Sequence, residues 1–97
     1  MARVIWTEPA LNELDEIADF IALDKPQAAR LLVQNVFKKV GLLGRFPRLG
    51  KKVPELKDLP YRQLVIPPCR IFYRGDEEKI YIVSILRGER KLSKAFP

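Results

Sequence analysis

"KIYIVSILR" (Lys79 to Arg87) places apolar side chains on both of its alternating sets, Ile80, Ile82 and Leu86 on one and Tyr81, Val83 and Ile85 on the other. A half-exposed strand alternates apolar with polar residues, so a run that is apolar on both sets predicts a central strand covered on both faces. Two further strand-like runs precede it, "YRQLVI" (Tyr61 to Ile66) and "CRIFYR" (Cys69 to Arg74). Pro67 and Pro68 turn the first into the second, and "GDEE" (75 to 78) turns the second into the third. Consecutive runs joined by short loops pair antiparallel, which predicts a three-stranded meander.

Upstream, "ARVIW" (Ala2 to Trp6) is short and β-branched and reads as one more strand, placed on the open side of the central run. Thr7 then offers an N-cap ahead of Pro9, and Leu11, Leu14, Ile17, Ala18 and Ile21 recur at helical spacing. Asp24 and Pro26 signal a second helix that carries Ala28, Leu31, Leu32, Phe37 and Val40 and stops at Gly44 and Pro47. With almost no linker between them, the two helices form an antiparallel αα-hairpin. "FPRLGKKVPELKDLP" (Phe46 to Pro60) reads as a loop or a short irregular edge. The expected fold is α+β, in the order βααβββ. It is a twisted antiparallel sheet with the helical hairpin on one face, in a single domain spanning 1 to 97.

A hydrophobic fraction of 47% beside 31% charged residues suits a globular chain and not a disordered one. No apolar run approaches the roughly 18 residues of a membrane span, and no secretory h-region follows the first residues, so the expected address is the cytoplasm. The one cysteine, Cys69, lies among apolar and basic neighbours and reads as a packed side chain. With no histidine and no cysteine cluster, neither a metal nor a cofactor is expected.

The net charge of +6 is lopsided: residues 1 to 46 balance six basic against six acidic side chains, whereas 47 to 97 set twelve against six. Such asymmetry favours a polyanionic or acidic partner, although lysines that only aid solubility give the same count. In "CRIFYR", alternation puts Arg70, Phe72 and Arg74 on one side of the strand, a possible platform for phosphates and a stacked base. The competing reading has the arginines at an edge and Phe72 in the core. Arg62 opens the preceding run, and Arg87, Arg90 and Lys91 follow the last one.

RNA cleavage suits such a set, because the 2′-hydroxyl is its own nucleophile and the protein must align it and offset charge on the phosphate. Arginine forks bind phosphate oxygens bidentately. Arginine is a poor base, so Glu89 or a lysine would have to carry the proton. The expected catalytic set is Arg62, Arg70, Arg87 and Arg90, with Phe72, Arg74 and Lys91 binding nucleic acid or another target.

"WTEPALNELDEIADFIA", "FPRLGKKVPEL" and "CRIFYRGDEEKIYIVSILRGER" together resemble the RelE/ParE superfamily, the toxins of bacterial type II toxin–antitoxin modules. The resemblance implies the βααβββ fold, a cytoplasmic toxin that arrests growth, and a cognate antitoxin that masks the basic surface. RelE-like members cut mRNA on the ribosome, and ParE-like members inhibit DNA gyrase without nuclease activity. Arg70 matches a catalytic arginine of the RelE-like pattern, Arg62 falls near its lysines, and Arg87 and Arg90 match two positions of its basic "KRER" ending. Gly88 replaces an arginine of that ending, and the tail "KLSKAFP" lacks the usual tyrosine. "LRGER" fits the ParE-like "LHGxR" ending except for arginine in place of histidine. Ribosome-dependent nuclease, gyrase inhibitor and non-catalytic binding module therefore remain as three readings, with the nuclease first.

Overall fold

The computed structural model describes residues 1–88. Its elements run β1 (Arg3–Trp6), α1 (Glu8–Ala22), α2 (Pro26–Gly41), β2 (Lys51–Lys52), β3 (Arg62–Ile66), β4 (Cys69–Gly75) and β5 (Lys79–Arg87), with single 3₁₀ turns at Leu42–Gly44 and Pro54–Leu56. The sheet order is β1-β5-β4-β3-β2, so the βααβββ core stands as expected, with the two-residue β2 added at the irregular edge. The meander β3–β4–β5 is antiparallel. β1, however, joins β5 in parallel, which makes the sheet mixed. The direction follows from the chain's path: β5 runs the same way as β3, since the meander reverses twice between them, and β1 shares that direction.

α1 starts as the sequence indicates. Thr7 Oγ1 accepts from the Ala10 N–H at 3.4 Å and donates to the Ile82 carbonyl at 2.6 Å, so one hydroxyl caps the helix and ties it to β5. α2 starts differently: its N-cap is Lys25, with no side-chain hydrogen bond, and Pro26 occupies the first turn in place of a capped Asp24 start. Its buried stripe is Ala29, Leu32, Val36 and Val40. Leu31 and Phe37, expected inside, are exposed, and Phe37 instead packs its ring 4.8 Å from that of Trp6. A leucine-rich helix offers two apolar stripes about one residue apart, and the sheet selects between them.

The main core lies between the hairpin and one face of the sheet. Leu14, Leu32, Val36 and Val40 meet Leu64, Ile66, Cys69, Ile71, Tyr73, Ile80, Ile82 and Ile85. Cys69 is buried there, as a packed side chain should be. The other face has a second small core made by the chain itself: Val53 and Tyr61 close over Phe72 and Val83, with Leu56, Tyr81 and Leu86 around them.

β5 serves both cores by alternation, and it contains a bulge. Phe72 pairs with Ser84 and Tyr73 with Ile82, so Val83 is an extra residue. The bulge reverses the alternation beyond it, and Ile85 joins Ile80 and Ile82 in the main core while Leu86 joins Tyr81 and Val83. Uniform alternation in the sequence had assigned Leu86 and Ile85 the other way round. Glu13 of α1 stabilises the irregularity, its Oε1 accepting from Ser84 Oγ at 3.0 Å and from the Ile85 N–H at 3.1 Å.

Candidate functional site

Arg70 lies on the face of the second core, opposite Val65 on β3 and Leu86 on β5. Each of its three guanidinium nitrogens makes a hydrogen bond. Nε donates to Gln63 Oε1 at 2.8 Å, and Nη1 and Nη2 donate to the two carboxylate oxygens of Glu55 at 2.9 and 2.8 Å. Bidentate geometry of this kind is the strong form of an arginine–carboxylate pair. The same guanidinium stacks 4.9 Å above the Phe72 ring. Arg70 is 15% exposed and Glu55 39%, and the hydrogen bonds from Arg70 hold the Glu55 carboxyl below its ordinary value.

The remaining arginines do not join it. Arg62 pairs with Tyr73, whereas Arg70 pairs with Val65, three residues further along an unbroken register, so the two side chains occupy opposite faces. Arg62 Nη1 donates to the Gly50 carbonyl at 2.8 Å. Arg87 pairs with Cys69, which puts it on the helix-side face as well, 5.1 Å above the Phe20 ring of α1. Arg62 and Arg87 share a face yet stand four pairing steps apart, about 13 Å along the strands. Arg74 pairs with Tyr81 and its guanidinium lies 6.0 Å from that ring, exposed at the far end of β4. Arg90, Lys91 and Glu89 lie outside the described residues.

The expected phosphate cradle of Arg62, Arg70 and Arg87 is therefore not assembled on one surface, and this corrects the sequence reading. Phe72 also requires correction, because it is fully buried beneath Arg70 and offers no face to a base. Of the two readings weighed for that strand, the one with Phe72 in the core is realised. Tyr73 has a different duty: its hydroxyl donates to the Pro47 carbonyl at 2.9 Å and accepts from the Gly50 N–H at 2.8 Å, fastening the loop ahead of β2. Burial pushes its phenol above the ordinary value, against the Gly50 N–H and the charge of Arg62. Among the described residues no three His, Cys, Asp or Glu side chains gather as metal ligands, and no helix is long and apolar enough to cross a membrane.

Comparison with known proteins now bears on this geometry. The family model for the ParE toxin of the type II toxin–antitoxin system parDE matches residues 4–92. The chain belongs to the ParE toxin family. Two toxins of Caulobacter vibrioides are similar over nearly their whole length: RelE2, 32% identical over 91 residues (93% of this chain and 99% of the relative), and ParE3, 31% identical over 97 residues (96% and 93%). A structure of the chromosomal ParDE system of P. aeruginosa superposes with a TM-score of 0.74 at 27% identity, covering 92% of this chain and 98% of that one. This ParE-family chain is thus a toxin of a type II module, and an antitoxin is its partner.

Two residues that organise the ParE-family toxin were missed in the sequence. Glu55 is the lone acid between Arg45 and Lys57, and an isolated acid in a basic stretch is a signal for a fixed ion pair. Glu13 is one of several acids on α1, and only the bulge in β5 sets it apart.

Proposed function

We propose that this toxin arrests growth in the cytoplasm in the ParE manner, by binding and inhibiting DNA gyrase, and does not cut mRNA. The observation that carries the reading is the state of Arg70. A catalytic arginine must present free N–H groups to a phosphate, and here three of the five guanidinium N–H groups, one on each nitrogen, are taken by Gln63 and Glu55. Breaking a bidentate pair to admit a substrate costs energy that a preorganised phosphate site avoids. The division of Arg62, Arg70 and Arg87 between two faces and two ends supports the same conclusion. So does the ParE family model.

The RelE-like nuclease is the second reading, favoured by the likeness to RelE2 and by the basic second half of the chain. A paired assay separates them: purified toxin is added to a gyrase supercoiling reaction and, separately, to ribosomes stalled on mRNA. The proposal expects supercoiling to stop and the mRNA to stay whole. Intact supercoiling beside mRNA cut at the A site would establish the nuclease instead, and a chain that does neither and arrests no growth would be a binding module.

A further inference from the structure

We propose that the basic loop between α2 and β3 grips the phosphate backbone of the DNA duplex held by gyrase, an inference that rests on the gyrase reading and adds a second contact to that encounter. In "RFPRLGKK" (Arg45 to Lys52) four cations stand in eight residues with no acid among them. Arg45 and Arg48 are exposed, and neither side chain makes a hydrogen bond or an ion pair with a described residue. Their state is the opposite of that of Arg70, whose N–H groups are given to Gln63 and Glu55.

An exposed loop loses entropy when a partner orders it, and this loop is ordered beforehand. The Phe46 N–H donates to the Leu42 carbonyl at 2.8 Å, the Leu49 N–H to the Phe46 carbonyl at 3.0 Å, and the Ala2 N–H to the Gly44 carbonyl at 2.8 Å. From inside, the Tyr73 hydroxyl holds the Pro47 carbonyl and the Gly50 N–H, while Arg62 Nη1 holds the Gly50 carbonyl. Arg45 and Arg48 therefore leave a backbone whose path is set before any contact. Two adjoining cavities line up along it. One of about 690 Å³ is lined by both arginines with Phe46 and Leu49, and one of about 270 Å³ carries the lining on from Arg48 to Arg62. Glu77 lines both and Asp76 the smaller, where Asp76 Oδ1 already accepts from the Glu78 and Lys79 N–H groups at 2.7 and 2.9 Å. Phe46, between the two arginines, is 53% exposed. Guanidinium forks take phosphate oxygens, and an exposed aromatic ring among them meets sugars or wedges at a base step. An acidic protein surface would meet the same charges, but gyrase works on DNA, so the polyanion is present wherever the toxin meets this target.

The test compares wild type, R45E/R48E and K25E/R30E for binding to a short labelled DNA duplex and to gyrase with and without that DNA. K25E/R30E makes the same charge change on exposed residues at the opposite end of α2 and controls for net charge. R45E/R48E should weaken duplex binding at least about tenfold and lower the slope of log affinity against log salt by about two, whereas the control should lose less than about threefold. Wild type should bind gyrase with DNA at least about tenfold more tightly than gyrase alone, and R45E/R48E should lose that difference. Equal duplex affinities for R45E/R48E and the control overturn the proposal. Weaker binding of R45E/R48E to DNA-free gyrase, by as much as to gyrase with DNA, assigns the loop to a protein contact and likewise overturns it. Wild-type chain that binds no gyrase in either form would sink the gyrase reading separately, and the duplex comparison would still decide whether the loop grips DNA.

Discussion

The two faces of the sheet are built by different means. On the helix side, two amphipathic helices bury a continuous aliphatic layer against β3, β4 and β5. On the other side no α-helix lies among the described residues, and a handful of residues from the irregular segment 53–61 close over Phe72 and Val83, with the Glu55–Arg70–Gln63 network at the rim. The first face is a core that the helical pattern specifies. The second is a small core whose rim is polar, and there Arg70, which resembles a catalytic group, is held by Glu55 and Gln63. A basic residue on a sheet, then, is not evidence of a site until its nitrogens have been accounted for.

The sharpest way to break this comparison is Phe72→Ala. A buried ring under Arg70 predicts a loss of about 3–5 kcal/mol in denaturant unfolding, while a solvent-facing stacking platform would lose almost nothing. Next is Tyr73→Phe, which removes the acceptor of the buried Gly50 N–H and the donor to Pro47 and should cost about 1–3 kcal/mol. Replacing Gly50 itself probes the same packing, because a Cβ there would stand 2.5 Å from the Gln63 carbonyl oxygen and 2.7 Å from the Tyr73 ring. A Gly50→Ala chain should therefore unfold at lower denaturant than the wild type.

Glu13→Ala tests the link between the helix side and the bulge. It leaves the Ser84 hydroxyl and the Ile85 N–H without this acceptor, for a loss of about 1–3 kcal/mol, and Glu13→Gln, which keeps an acceptor oxygen, should recover most of it. The smallest effect belongs to the second face. Glu55→Gln should cost about 0.5 kcal/mol at neutral pH, because the pair is partly exposed. Since Arg70 lowers the folded-state value of Glu55, that contribution is present above the ordinary glutamate value and is lost as pH falls through the lowered one. The difference between wild type and Glu55→Gln should accordingly vanish in acid, as urea midpoints measured from pH 7 downward would record.

The fold was legible because its signals are periodic. Thr7 announced α1, and the doubly apolar run 79–87 announced an interior strand. What escaped was whatever depends on one residue's displacement: the bulge at Val83 that exchanges the roles of Ile85 and Leu86, and the choice between adjacent stripes on α2. The site was less legible for the same reason. Arg62, Arg70 and Arg87 look equivalent in a sequence, but their faces are set by register, and the identity of the Arg70 partner is set by a 3₁₀ turn fifteen residues away. Alternation did separate Arg70 and Phe72 from Ile71 and Tyr73 correctly. It did not say that the face they share is closed by the chain's own loop.

The central claim is that Arg70 holds the second core's rim and cuts no RNA. Primer extension on ribosome-bound mRNA treated with wild-type and Arg70→Ala toxin tests it most directly. The account expects no A-site cleavage from either chain. Cleavage by the wild type that disappears in Arg70→Ala, with the variant still folded, would contradict it.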